Sequence, residues 1–160
     1  MRRMIAFAAV SLCMVLPGGM SARADTTMTC APVTQQEIAA LFDRWNASLA
    51  THDAAKVAAN YAPDAVLLAT VSNRPRATPA DIQDYFVHFL EKNPNGSIDT
   101  RTIRIGCNTA SDVGTYTFDL KDDKGELIKV PARYSFNYEL RDGKWLIVHH
   151  HSSAMPEPVK

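Results

Sequence analysis

The run that decides the fold lies near the end of the chain, Gly143-Lys144-Trp145-Leu146-Ile147-Val148-His149-His150-His151-Ser152-Ser153. Side chains of a β-strand alternate between faces, so an unbroken strand puts Trp145, Ile147, His149 and His151 on one side. A large aromatic at one end, with imidazoles and hydroxyls at the other, reads as a core edge running into a polar pocket. His150 is expected on the outer face. Asp142-Gly143 is a tight-turn signal that joins this strand antiparallel to the preceding one. On that strand Ala132, Tyr134, Phe136 and Tyr138 alternate with the polar Arg133, Ser135 and Asn137.

Upstream, Thr34-Gln35-Gln36-Glu37 is a capping box, and Ile38, Leu41, Phe42, Trp45 and Leu49 follow at helical spacing. These predict an amphipathic helix over 34–50 with Trp45 in the core. His52-Asp53 opens a short second helix with Val57 and Tyr61 inward, ended by Pro63. Ala65 to Val71 is a predicted strand, and Ser72 to Arg76 a polar loop in which Arg74 and Arg76 are solvated. Thr78-Pro79 caps a third helix with Ile82, Tyr85, Phe86, Phe89 and Leu90 as its apolar stripe. Four strands follow, over 98–107, 114–121, 127–140 and 145–152. Asp122-Asp123-Lys124-Gly125 is a further turn cluster. Three helices and then a run of antiparallel strands predict an α+β fold, with helices packed on one face of a curved sheet.

The first residues carry a targeting signal. Arg2-Arg3, the apolar run Met4 to Leu16 and the small-x-small Ala22-Arg23-Ala24 read as a secretory signal peptide cleaved after Ala24. The apolar run is too short for a transmembrane span. The expected organisation is a signal peptide over 1–24, an N-terminal segment over 25–33, one domain over 34–156 and a short tail over 157–160. Localisation is then periplasmic or secreted, with no membrane contact after processing. Seventeen basic and seventeen acidic residues leave no basic stripe, so nucleic acid is not an expected partner. Cys30 and Cys107 survive processing and are expected to pair in an oxidising compartment, removing about 4 kcal/mol of unfolded-chain entropy and tethering the N-terminal segment.

The helix–helix–strand–helix–strands order, with Arg141-Asp142-Gly143-Lys144-Trp145 followed by His149-x-His151-x-Ser153, resembles the calcium/calmodulin-dependent protein kinase II association domain in its stand-alone bacterial form. That group includes the SgcJ/EcaC-like proteins. The wider set is the nuclear-transport-factor-2-like superfamily, with the SnoaL-like cyclases and ketosteroid isomerase. Trp45, Tyr61-Ala62-Pro63-Asp64, Tyr85-Phe86, Tyr116-Thr117-Phe118 and Ala132-Arg133-Tyr134 also fit the resemblance, which covers about 34–156. It implies a cone: a strongly bent antiparallel sheet around a long helix, a pocket at the open end, and dimerisation through the outer sheet face. The kinase domain lines its pocket with arginines, which implies an anionic ligand. Two of those arginine positions fall here on Tyr116 and Phe136.

These readings place a ligand pocket on Arg133, His149 and His151, with Ser135, Asn137, Trp145 and Tyr85 as walls. An arginine fork beside neutral imidazoles suits a small polar or anionic organic ligand. His149 and His151 could chelate a metal, but no third ligand stands nearby, so neither metal nor cofactor is expected. The favoured reading is an exported homodimeric small-molecule-binding protein, with a higher oligomer open. One alternative is a cofactor-free isomerase, cyclase or hydratase that uses a pocket histidine, or Asp119, as acid or base. Another is a purely structural oligomerisation domain. The dimer is further argued from too many aromatics for one core face: Tyr116, Phe118, Tyr134, Phe136 and Tyr138 against Trp145 and Ile147.

Overall fold

A computed structural model describes residues 29–70 and 72–157. The expected signal peptide and its cleavage site lie outside the described residues. Helix α1 (Gln35–Leu49) begins at the capping box: Thr34 Oγ1 accepts from the Glu37 amide at 3.2 Å, and Glu37 accepts from the Thr34 amide at 2.7 Å. Its buried stripe is Ile38, Leu41, Phe42, Trp45 and Leu49. Helix α2 (Ala54–Ala58) starts on the Asp53 carboxylate. It stops well before Pro63, because the Asn60 side-chain amide donates to the carbonyls of Lys56 and Val57. The chain is therefore free to start strand β1 (Tyr61–Leu68) at Tyr61 rather than at Ala65. Pro63 sits where the pairing register of β1 shifts, a position that needs no ladder donor. Helix α3 (Pro79–Phe89) is capped by Thr78 with proline in its first turn. Strands β2 (Asn95–Ile105), β3 (Thr109–Lys121), β4 (Leu127–Arg141) and β5 (Lys144–Ala154) complete the chain.

The strands form one five-stranded sheet in the order β1-β5-β4-β3-β2. It is antiparallel except at one edge, where β1 runs parallel to β5. The turn between β4 and β5 has Asp142 at φ 51° and Gly143 at φ 75°, the pair of positive angles that matches the twist of a two-residue hairpin. The sheet bends around α1. Asn46 of α1 clasps the start of β2 with both ends of its amide, donating to Gly96 O at 3.0 Å and accepting from Gly96 N at 2.8 Å. A Cβ at Gly96 would lie 3.1 Å from Phe118 and 3.3 Å from Phe42, so a larger residue would press on both rings where helix and strand meet.

All five aromatics of the dimer argument, Tyr116, Phe118, Tyr134, Phe136 and Tyr138, lie on the same concave face and are buried within one chain. Trp45 sits among them at 1% exposure, edge-on to Phe86, Phe118 and Phe136. Among the described residues the outer face carries Thr115, Thr117, Arg133, Ser135 and Asn137 beside Val113, so it is mainly polar rather than the second aromatic face expected from the sequence. A strongly bent sheet with a helix in its concavity buries more aromatic area on one face than a flat sheet does.

Cys30 and Cys107 are joined, with Cα atoms 4.8 Å apart. Asn108 reinforces the tether: its side chain accepts from Ala31 N at 2.8 Å and donates to Thr29 O at 3.0 Å. Replacing both cysteines by serine is expected to lower stability by about 2–4 kcal/mol without changing the fold. Urea unfolding of the oxidised wild type and the double variant, followed by circular dichroism, checks this.

Candidate functional site

Along β5 the strict alternation assumed from the sequence breaks once. Tyr138 of β4 pairs with Ile147, but Asn137 pairs with His149, leaving Val148 as an extra residue in a β-bulge. A bulge inserts one residue into one strand and reverses the facing of everything beyond it. Ile147 points into the cone, as expected. Beyond the bulge the inward residues are His150, at 3% exposure, and Ser152, at 8%. His149 and His151 turn outward.

The expected pocket set is therefore divided. Arg133, Ser135, Asn137, His149 and His151 do share a face, through the pairs Ser135–His151 and Asn137–His149, but it is the outer face of the sheet. Arg133 is exposed there, and its Nε donates to Ser153 Oγ at 3.1 Å. Trp145 is half-buried near the hairpin turn, where its carbonyl accepts from Arg44 at 2.7 Å. Asp119 also faces outward, paired with Lys129 at 2.7 Å. Of the expected ligand set only Tyr85 lines the concave cavity. Arg74 is exposed, as expected, and pairs with Asp81, whereas Arg76, also expected to be solvated, pairs with Asp84 and is largely buried beside Tyr85.

That cavity lies between α1, α3 and the inner faces of β1, β3, β4 and β5. Its aromatic walls are Trp45, Tyr85, Phe86, Phe89, Tyr116 and Phe118, and its aliphatic walls Leu67, Ala69, Leu120, Val130 and Ala132. The cavity is narrow, about 40 Å³ in volume. Polar side chains among its walls are those of Thr70, His150 and Ser152, and the hydroxyl-bearing rings of Tyr85 and Tyr116 stand with them. Tyr116 Oη donates to Ser152 Oγ at 2.6 Å, and Ser152 Oγ is in turn hydrogen-bonded to Thr70 Oγ1. Among the described residues no arginine or lysine is a wall of the cavity.

His150 is held from behind. Trp45 Nε1 donates to Tyr61 Oη at 3.1 Å, and Tyr61 Oη lies 2.8 Å from His150 Nδ1. The imidazole stacks on Phe136 with centroids 4.0 Å apart and meets the edge of Trp45. Its Nε2 is buried and has no hydrogen-bond partner among the described residues. Burial, with smaller contributions from His149 and His151, pushes its pKa down to about 3, so the ring is neutral at physiological pH. Burial also raises the hydroxyls of Tyr61, Tyr85 and Tyr116, which stay protonated.

A second buried polar group lies apart from the cavity. Asp112 of β3 is fully buried, accepts from Tyr134 Oη at 2.8 Å and sits 3.0 Å from Arg101 Nε. Burial raises its pKa against the opposing pull of Tyr134 and Arg101. Sequence reading passed over Asp112 and placed His150 on the outer face, whereas the bulge turns it inward. The signal for Asp112 was its parity with Tyr116 and Phe118 on β3. The signal for His150 was the hairpin count, which without a bulge sets Phe136 opposite His149 and so cannot put Arg133 on the face of that histidine.

The fold is shared with many solved structures. A nuclear-transport-factor-2-like protein with a cystatin-like fold from Novosphingobium aromaticivorans matches with a TM-score of 0.65 at 12% identity, over 78% of this chain and 83% of its own. A nuclear-transport-factor-2-like superfamily protein from Salmonella enterica serovar Typhimurium gives 0.66 at 18% identity, over 76% and 91%. These define the class, an α+β cone of the nuclear-transport-factor-2 type. Within it, residues 34–156 match the calcium/calmodulin-dependent protein kinase II association domain, and the chain belongs to that family. A crystal structure from Xanthomonas campestris, described as such an association domain, is 53% identical over 81% of this chain and 96% of its own, with a TM-score of 0.77. No curated protein matches the chain.

The depressed pKa of His150 makes stability depend on pH with a definite sign. The unfolded ring takes a proton below about pH 6.5 and the folded one only near 3, so its contribution is complete above 6.5 and is lost as pH falls toward 3. Between about pH 6.5 and 4.5, above the usual carboxylate range, wild type should lose about 2 kcal/mol of unfolding free energy. His150→Phe should flatten most of that slope. Urea midpoints across the interval test this, and an unchanged slope in the variant would remove His150 as the source.

Proposed function

We propose that the chain is an exported, self-associating protein that binds a small molecule in the concave cavity around His150. The observation that carries this reading is the unpartnered Nε2 of a fully buried, neutral imidazole on the wall of an otherwise apolar cavity. A buried polar atom left without a partner costs about 1–3 kcal/mol, and a bound molecule that supplies the partner recovers it. Concave, largely apolar cavities with a few convergent polar groups are the usual form of small-molecule sites.

Self-association is supported by membership of an association-domain family. Since no apolar second face calls for cover, we place the contact, as the resemblance implies, on the polar outer sheet face. Arg133, His149 and His151 then belong to the interface rather than to the ligand. Export is supported by the signal-like N-terminus and by the Cys30–Cys107 bond, which persists in oxidising compartments. Among the described residues no helix is long and apolar enough to cross a membrane.

The acid–base alternative finds less support. A ring with its pKa near 3 takes up no proton at neutral pH, and Asp119, His149 and His151 stand on the other side of the sheet.

Two measurements test the reading. Val130→Trp, which fills the cavity from one wall, should abolish ligand-induced melting shifts across a fragment library while leaving the molecular mass by light scattering unchanged. Arg133→Glu should do the reverse, shifting a dimer toward monomer with melting shifts retained. Loss of both properties in both variants would contradict the separation of pocket from interface.

A further inference from the structure

The polar end of the cavity has a direction, set by which atoms hold the protons, and this restricts the ligand. The inference rests on the reading of the cavity as a ligand site. An indole N–H only donates, so Tyr61 Oη accepts from Trp45. Tyr61 is buried, and among the described residues its only other polar partner is His150 Nδ1. If Nδ1 carried the proton, the tyrosine hydroxyl hydrogen would be buried with nothing to accept it. The arrangement that satisfies every group in the chain runs Trp45 N–H to Tyr61 O–H to His150 Nδ1. A neutral imidazole that accepts at Nδ1 carries its proton on Nε2. The unpartnered atom of His150 is therefore a donor.

The hydroxyls beside it point to the same conclusion. Tyr116, Ser152 and Thr70 hold three hydroxyl protons, and the hydrogen bonds among them use two. Among the described residues, one more donor is left at the polar end. Among the described residues no lysine or arginine lines the cavity. The guanidinium of Arg76 stands 5.9 Å from the centroid of the Tyr85 ring and is already paired with Asp84. A carboxylate here would be buried without a counter-charge, which costs far more than two neutral donors return.

We infer that the ligand is a neutral, mainly apolar molecule carrying a carbonyl-type acceptor that takes the Nε2–H of His150, and that this cavity rejects carboxylates. The narrow bore and the surrounding aromatic rings favour a single ring or short chain over a bulky or highly polar molecule. This reverses the anionic ligand expected from the sequence, because the arginine on which that expectation rested lies outside the cavity.

A matched trio of probes tests it: acetophenone (neutral acceptor), benzoate (same size and shape, anionic) and toluene (no acceptor). Each is titrated into the oxidised protein and followed by amide and imidazole nitrogen NMR. Acetophenone should bind at least ten-fold more tightly than benzoate, and the His150 resonances should show Nε2 protonated. Tyr61→Phe and His150→Phe should each weaken acetophenone five-fold or more while leaving toluene within two-fold. Benzoate binding in the cavity as tightly as acetophenone, or a wild-type spectrum with the proton on Nδ1, would overturn the inference and leave the cavity as a binding site. Failure of all three probes to enter would overturn both. The tautomer spectrum needs no variant, so the inference remains decidable if His150→Phe does not fold.

Discussion

One extra residue in one strand governs the chemistry of this molecule. Without the bulge at Val148, the hairpin ladder would carry His149 and His151 under α1, with His150 and Ser152 outside. With it, a single imidazole enters the core and two leave. The energetic reason lies in what surrounds that position. Trp45, Phe136 and Tyr61 form a nest of rings with one unfilled hydrogen-bond demand, the proton of Tyr61. One imidazole with an acceptor nitrogen meets that demand and fills the space. Two imidazoles spaced along the strand would have brought more polar atoms than the nest can satisfy, and buried polar atoms without partners are strongly unfavourable.

The same bulge settles what the outer face is. It aligns Arg133, Ser135 and Asn137 with Ser153, His151 and His149, so that a continuous polar band runs across β4 and β5. Such a band needs no covering to be stable in water. Any assembly formed there gains its energy from hydrogen bonds and charge rather than from burying an exposed apolar patch, and it will respond to salt and to substitutions such as Arg133→Glu. On the proposed reading, ligand site and assembly surface would be opposite sides of one sheet, joined through the strands between them.

Much of the fold was legible, and for identifiable reasons. The capping box at Thr34, the apolar stripes of α1 and α3, and the Asp142-Gly143 turn are local signals whose physics does not depend on the rest of the chain. The disulfide was legible from compartment and cysteine count. The start of β1 was not, because Asn60 closes α2 with a side-chain hydrogen bond that no periodicity reports, and Pro63 looked like a helix stop rather than a tolerated edge residue. The site was misread for one reason. Parity arguments propagate along a strand until a bulge, and Val148 carries no glycine to announce one. The warning was the conflict between two parity assignments: the hairpin count could not set Arg133 and the histidines on one face unless a residue was inserted.

The distribution of charge inside the cone completes the argument. The chain does hold an ion pair of a partly buried Arg101 with a fully buried Asp112, but away from the cavity, and the Tyr134 hydroxyl donates to the same carboxylate. Bringing Arg101 inward takes its own irregularity, a shift in the β2–β3 register between Ile98 and Thr100. That shift brings the Thr100 carbonyl to within 2.0 Å of where a Cβ on Gly114 would stand, so only glycine fits there. The scaffold thus pairs this guanidinium with a carboxylate of its own, away from the cavity. On the inner faces of β3 and β4, Tyr116 and Phe136 supply rings, and the Tyr116 hydroxyl is committed to Ser152. Among the described residues the side chains that line the cavity are neutral, and that is the surface the proposed ligand would meet.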